Sequence, residues 1–406
     1  MSIFDRLDDR KRAILQHARE IAASRGLSPF LVGGPVRDLR LGRNSDDLDF
    51  TIETGAHEFA IALARRLNGT VSGPTRFLTL KVSTPEGDII DIAAARRERY
   101  ASPGALPEVE SADLDTDLWR RDFSINAMAI GVLDERVVDP SGGNNDLTAG
   151  VIRVLHERSF MDDPTRIARA IRFSNRFSFR IEDGTSMWIR EALRAGATET
   201  ISIDRLWREL VLMTRESRPA PPLQLASSMG VFEPLTGPID EQALQSSLSR
   251  AVAATRLDPE VDSEVIFAAA VLEAARDRDS VVERLPIPRD RANLILVLAQ
   301  RDDLAVELRE MRERRKRLRR IAGERIERIA YLEAGESDLT GLTRDLRAFR
   351  AIEVGVRGDD LDVVPGPHVG SALYATREAL FFGDIAPDDA VSFAKACVLK
   401  YLSERK

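Results

Sequence analysis

The chain has 406 residues, 43% hydrophobic and 31% charged, with a formal net charge of −7 and a single cysteine, Cys397. That is ordinary globular composition, long enough for two or more domains; it excludes an internal disulfide framework and a cysteine zinc site, and no apolar run approaches the ~18–20 residues of a membrane span. The acidic balance does not mark a nucleic-acid binder, nor does it exclude one, because phosphate binding depends on local patches.

The N-terminus, MSIFDRLDDRKRAILQHAREIAASRG, has a charged amphipathic helix pattern without the apolar centre of a secretory signal, so a cytoplasmic protein is expected. Residues 28 to about 150 read as α/β. FLVGG is a short strand broken by two glycines, and PVRDLRLG continues as a short helix with Pro35 in its first turn. A strand follows over 46–53, then the helix EFAIALARRLNG, closed by Gly69. FLTLKVST and DIIDIAAA are two more strands joined through the turn PEGD. Strands interleaved with helices predict one mixed sheet with helices packed on it. From about 151 apolar residues recur at three and four, and 160–406 reads as mostly helical, with proline-punctuated joints near 215–224 and 285–290.

Residues 46–53, DDLDFTIE, alternate acidic and apolar. Leu48, Phe50 and Ile52 are expected in a core, with Asp47, Asp49, Thr51 and Glu53 on the opposite face. Two like charges on one strand face repel, and aspartate is a poor strand former. A divalent cation would relieve that repulsion: hard oxygen ligands suit Mg2+, which shares its shell with substrate phosphates. The alternative is a solvated edge strand. Gly33 and Gly34 lie just upstream, where a strand meets a helix; a backbone free of Cβ atoms there can approach an anion, or simply make a tight turn. Asp91, in IIDIAAA, is a possible third carboxylate or a surface residue at a strand end.

In DLWRRDFSINAMAI, Arg120, Arg121 and Asp122 precede an expected apolar helix, and Asn126 is a candidate polar contact to sugar or phosphate. In MDDPTRIARAIRFSNRFSFR, Asp163 and Arg166 are expected on one helix face, with Arg166, Arg169, Arg172, Arg176 and Arg180 forming a stripe. The competing reading is a set of solvated surface pairs. Between Arg309 and Arg328 stand ten basic and four acidic residues, read either as an RNA phosphate contact or as a salt-bridged helix.

These motifs together resemble class II tRNA nucleotidyltransferases, the bacterial CCA-adding enzymes and their A-adding, CC-adding and poly(A) polymerase relatives. GGPVRD with DDLD is similar to the family's triphosphate- and metal-binding motif, and RRDFSINAMA to its ribose motif. DDPTR stands where the family has Glu-Asp-x-x-Arg, with Asp162 replacing the glutamate, and ISIDRLWREL resembles a helix-supporting motif that follows. The match is strong over about 28–235 and weaker at GDD (358–360) and GPHVG (366–370), while 236–350 match nothing beyond a helical body. His17, His57, His156 and His368 are each followed by something other than Asp, against an appended phosphohydrolase.

The resemblance implies a catalytic head over 1–150, a helical base-recognition neck over 151–225, and a helical, tRNA-binding body and tail over 226–406. It implies Asp47 and Asp49 as the catalytic Mg2+ ligands, and Gly33, Gly34 and Arg37 on the triphosphate. Arg121, Asp122 and Asn126 are then expected on the sugar side, and Asp163, Arg166 and Arg169 in nucleotide recognition. Residues 95–118 resemble the family's flexible loop, tied there to the switch to adenosine. Cytosine and adenine both present an amino donor beside a ring-nitrogen acceptor, which a carboxylate and a guanidinium can read; guanine and uracil reverse the pattern. The expected function is addition of CMP and AMP from CTP and ATP to tRNA. An A-only enzyme, a poly(A) polymerase, an idle RNA-binding protein and a small-molecule nucleotidyltransferase are the alternatives.

Overall fold

The computed structural model describes residues 2–45, 47–300 and 303–404; Asp46, at the head of the acidic stretch, lies outside them. They form two units, Met1–Pro238 and Ile239–Lys406, with the division in GPID rather than at either proline-rich joint.

In the first unit α1 (Asp9–Arg25) leads to β1 (Phe30–Val32), then α2 (Gly34–Arg40), with Pro35 in its first turn. Next come β2 (Leu48–Ile52), α3 (Ala56–Arg66), β3 (Thr70–Ser72), β4 (Thr79–Ser83) and β5 (Ile89–Ala94). A ribbon of β6 (Arg96–Arg99) and β7 (Glu108–Ser111) precedes α4 (Leu114–Trp119), and β8 (Ala129–Gly131) and β9 (Val137–Val138) follow.

One mixed sheet runs in the order β3-β4-β5-β2-β1-β8-β9. β2 is central, antiparallel to β1 and parallel to β5, in a register that sets Asp49 opposite Asp91. Leu48, Phe50 and Ile52 are buried, as the alternation requires, but Thr51 is buried too, so both faces close toward the C-terminal end of the strand. Phe50 meets Phe59 of α3 edge to face at 5.8 Å, and both are buried. That clamp fixes the strand carrying Asp49. Phe59→Ala is expected to cost ~3–5 kcal/mol of stability, read from the midpoint of denaturant unfolding. A loss below ~1 kcal/mol would show that β2 is held by other contacts.

Three expected elements differ. FSINAMAI is not a helix: Ser124–Asn126 make one 3-10 turn and β8 follows, antiparallel to β1. The segment is buried on all sides, and an apolar run of that length suits either element. The expected flexible loop contains the ribbon, an antiparallel pair with Arg96 opposite Ser111 and Arg99 opposite Glu108. At the end of α3 the left-handed residue is Asn68 (φ 52°), not Gly69, whose missing Cβ instead admits the Ser83 carbonyl.

After α5 (Gly143–Ala149) the unit turns helical: α6 (Ser159–Asp162), α7 (Thr165–Phe177), α8 (Asp183–Arg194), α9 (Ile203–Thr214), α10 (Ala220–Ser228) and α11 (Glu233–Thr236). A two-residue parallel ladder, β10 (Val151–Ile152) with β11 (Arg180–Ile181), interrupts them.

The second unit is helical among the described residues, and no described helix is long and apolar enough to cross a membrane. Its helix Ser263–Glu273 is buried along nearly its whole length, as a helix apolar all round must be. The basic stretch 309–328 is largely ion-paired within this unit: Arg314 chelates Asp345 with two bonds of 2.7 Å, Arg319 grips Glu378 at 2.7 and 2.6 Å, and Arg320 reaches Glu307. These pairs favour the salt-bridged reading of that stretch.

Candidate active site

The turn from β1 to α2, the start of β2, the ribbon, the segment between α4 and β8, and α7 converge on one cavity of about 520 Å³. Its walls include Gly33, Gly34, Arg37, Asp47 and Asp49 from the head, Arg121, Asp122 and Asn126 from the next segment, and Asp163, Arg166 and Arg169 from the helical part. Asp91 is not in the lining.

Asp47 is exposed just ahead of β2, and Asp49 is half-buried within it. Burial, then the charges of Asp91 and Asp47, push the Asp49 carboxyl up to about 6. Two crowded carboxylates fit a divalent cation, whose charge would hold both ionised. Asp91 faces Asp49 across the ladder, but its Oδ1 accepts from Lys81 Nζ at 2.6 Å. Among the described residues no group of three or more His, Cys, Asp or Glu is arranged to hold a metal. The protein thus offers a carboxylate pair, and phosphate and water oxygens would complete the shell.

Gly33 has φ 72° and ψ −130°, and its amide donates to the Met128 carbonyl at 3.2 Å. A Cβ there would stand 2.9 Å from Arg121 Nη1, the movable end of a long side chain, so it is the backbone conformation that requires glycine. Gly34 is already helical. Arg121 donates to the fully buried Asp117 at 2.9 Å, which keeps its guanidinium over the turn.

Arg37 is buried and stacked on Phe177, 4.7 Å from the ring centroid. Its Nη1 donates to Asn126 Oδ1 (2.8 Å), and Asn126 Nδ2 donates to Asp122 Oδ1 (3.0 Å). Asp122 Oδ2 accepts from Arg169 Nε and Nη2 at 3.0 and 2.5 Å. Four expected site residues thus form one chain, with Arg37, Asn126 and Asp122 buried, Arg169 half-buried at its open end, and Arg37 supporting from behind. Burial works against the charge of Asp122, but Arg169 and the Asn126 hydrogen bond outweigh it and hold the carboxyl down at about 2. Asp122→Asn is expected to cost about 2 kcal/mol, since it removes the buried carboxylate to which the half-buried Arg169 donates twice. The folded pKa lies below the ordinary 3.8, so this stability is complete above pH ~4 and lost as pH falls through about 2. Unfolding curves of both proteins against pH should therefore converge on the acid side; a constant gap would overturn the assignment.

Asp163 is not on the helix. It caps α6 in extended conformation ahead of Pro164, which disfavours a helical residue before it. Its Oδ1 accepts from Thr165 N (3.1 Å), Thr165 Oγ1 (2.6 Å) and Arg205 Nη2 (2.5 Å). Arg166, buried at the start of α7, donates to Ser159 Oγ at 2.6 Å and to the Arg120 carbonyl at 2.8 Å. The arginine stripe divides: Arg172 and Arg176 turn to Glu216, and Arg180 leaves the helix for β11.

Several lining residues escaped the sequence reading. Glu98 accepts from Arg120 (2.9 Å) and from the Tyr100 hydroxyl (2.9 Å), and burial followed by the Glu98 charge keeps that hydroxyl protonated. Glu209 of α9, pushed up by burial, lies 3.9 Å from Arg169 and 3.7 Å from Arg172. The alternation in RRERY and the four-residue spacing of Arg205 and Glu209 were the available signals.

Residues 29–153 match the family model of the poly A polymerase head domain. An A-adding tRNA nucleotidyltransferase of Halalkalibacterium halodurans is 39% identical, over 62% of this chain and 58% of the relative. A CC-adding tRNA nucleotidyltransferase of Deinococcus radiodurans is 34% identical over 65% of this chain and 68% of its own length. This chain belongs to the tRNA nucleotidyltransferase family. A solved structure of the Thermotoga maritima CCA-adding enzyme complexed with tRNA superposes with a TM-score of 0.71 and 28% identity, covering 98% of this chain and 97% of that one. The chain spans 58% of the length of the first A-adding relative and a quarter of two others. As in that fold, a mixed-sheet head precedes a helical half in this tRNA nucleotidyltransferase family member.

Proposed function

We propose that the chain transfers CMP and AMP from CTP and ATP to the 3′ end of tRNA, without a template and with release of pyrophosphate. One observation carries this reading: the Asp47–Asp49 pair, the Gly33 turn under Arg121, and Asp163 with Arg166 line a single cavity of nucleotide size. Asp47 and Asp49 would hold Mg2+, which supplies charge to activate the attacking hydroxyl and to stabilise the leaving pyrophosphate. Gly33, Gly34 and Arg121 receive the triphosphate, and the network of Arg37, Asn126, Asp122 and Arg169 positions the sugar side. Asp163 accepts from the exocyclic amino group of cytosine or adenine, and Arg166 donates to the ring nitrogen. Because guanine and uracil present a carbonyl acceptor and a ring N–H donor at these two positions, the same pair refuses both.

The test is purified protein with tRNAs ending before, within or after CC, each with labelled ATP or CTP alone. Incorporation of CMP before CC and of one AMP after it is the expected result. A second reading, A-only addition, is favoured by the higher identity to the A-adding relative than to the CC-adding one; it predicts AMP on tRNA ending in CC and no CMP anywhere. Repeated AMP would indicate a poly(A) polymerase, and no pyrophosphate release at all would leave an idle RNA-binding protein.

A further inference from the structure

We infer that Arg205 is a specificity-determining positioning residue that ties the tip of the ribbon to the base-reading carboxylate, so that ribbon docking sets where Asp163 stands. The inference rests on the proposed nucleotide transfer and deepens it. Arg205 lies in the first turn of α9 and spends its fork in two directions. Nη2 donates to Asp163 Oδ1 at 2.5 Å, and Nη1 donates to the carbonyl of Gly104, between β6 and β7, at 2.9 Å.

The tip is seated through that glycine. Ala101, Ser102 and Pro103 are exposed, as is Leu106, whereas Gly104 is buried. Its amide donates to the Met161 carbonyl at 3.3 Å, which joins it to the helix preceding Asp163. Gly104 has φ 70°, and a Cβ there would stand 2.8 Å from the Thr200 carbonyl and overlap the Thr200 hydroxyl. The base of the ribbon is held by Arg96 and Glu98, bonded to Asp117 and Arg120; its exposed tip has no apolar face to hold it down, so this plug and the Arg205 bond define the seat of the tip.

On the carboxylate side, the two other donors to Oδ1 both come from Thr165, two residues along the chain. They move with Asp163, while Arg205 belongs to a different helix and restrains it from outside. If the tip lifts, Nη1 loses its acceptor, the planar fork is free to turn, and Asp163 loses its lateral restraint. A lysine cannot replace the fork, since one ammonium does not reproduce two fixed bond directions.

The experiment compares wild type with Arg205→Ala, Arg205→Lys and Gly104→Ala. It measures kcat/KM for each nucleotide that wild type uses and for GTP and UTP, together with hydrogen exchange across residues 99–107. All three variants should lose roughly tenfold or more of the discrimination against GTP and UTP, the scale expected when a hydrogen bond to a charged group is removed from a base-reading site. Exchange at the ribbon tip should quicken in each. Arg205→Ala combined with Gly104→Ala should be little worse than either alone, because both break one latch. Should all four nucleotides fall in proportion, or should exchange at the tip stay as in wild type, Arg205 is a structural residue and the inference is overturned. If Arg205→Ala does not fold, the Lys and Gly104 variants decide by the same criteria. No incorporation by wild type overturns the functional reading and the inference with it; incorporation by wild type with unchanged ratios in the variants overturns the inference alone.

Discussion

Asp49→Asn is expected to lower nucleotide incorporation by on the order of 10³-fold or more while leaving the fold intact. The side chain is half-buried at the centre of the sheet, opposite Asp91 and close to Asp47, and its carboxyl is pushed up to about 6 by burial and those two charges. Such crowding costs stability unless a cation is present to use it. Asn removes one charge and keeps the shape, so the variant should be at least as stable as wild type without metal. Wild type should gain thermal stability with added Mg2+, and the variant should gain much less, since only the folded carboxylate pair binds the ion. Asp47→Asn should behave alike in activity. Normal turnover by both variants would sink the metal assignment. A normal Mg2+ shift in the Asp49 variant, with activity lost, would instead move the ion to other ligands.

The parts of this molecule that could be read from sequence are those where a local rule and the tertiary environment agree. Leu48, Phe50 and Ile52 alternate because β2 has a dry face, and the same alternation puts Asp49 on the side that becomes the cavity. The head motifs also stay within short spacings, so the turn at Gly33 and the aspartates are brought together by adjacent strands β1 and β2. Failures arise where one of the two inputs is missing. The ribbon strand RRER turns Arg96 and Glu98 inward, so its buried face is polar, and EVES turns in only Val109; no apolar period betrays them. FSINAMAI has the opposite fault, being buried on every side. Asp163 before Pro164 carried a legible warning against helix, which the three-residue spacing to Arg166 overrode. The long-range partners could not be read at all: Arg314 with Asp345, Arg319 with Glu378 and Arg205 with Gly104 are set by packing between elements far apart in sequence.

Asp163→Asn is the sharper test of base reading than removal of the side chain. Three donors converge on Oδ1, and among the described residues none reaches Oδ2. An asparagine at this position must therefore turn its carbonyl oxygen toward Thr165 and Arg205, because its amino group would face donors there. That orientation puts the NH2 where Oδ2 stood. A group that accepted the exocyclic amino hydrogen of cytosine or adenine becomes a donor aimed at a donor. The expected result is a loss of ~10²–10⁴-fold in kcat/KM for CTP and ATP, the range in which buried polar groups left unpaired reject a substrate. GTP and UTP should not fall with them, since their exocyclic oxygens accept from the new amino group, so the discrimination collapses. Asp163→Ala should cost the correct nucleotides less than Asn does, because it removes an acceptor without adding a donor, but should also lose about 1 kcal/mol of stability with the cap on the Thr165 amide. The ordering of the two variants is the decisive measurement. If alanine is the more damaging to CTP and ATP, or if asparagine leaves GTP and UTP excluded as in wild type, Asp163 holds the helix start and other residues read the base.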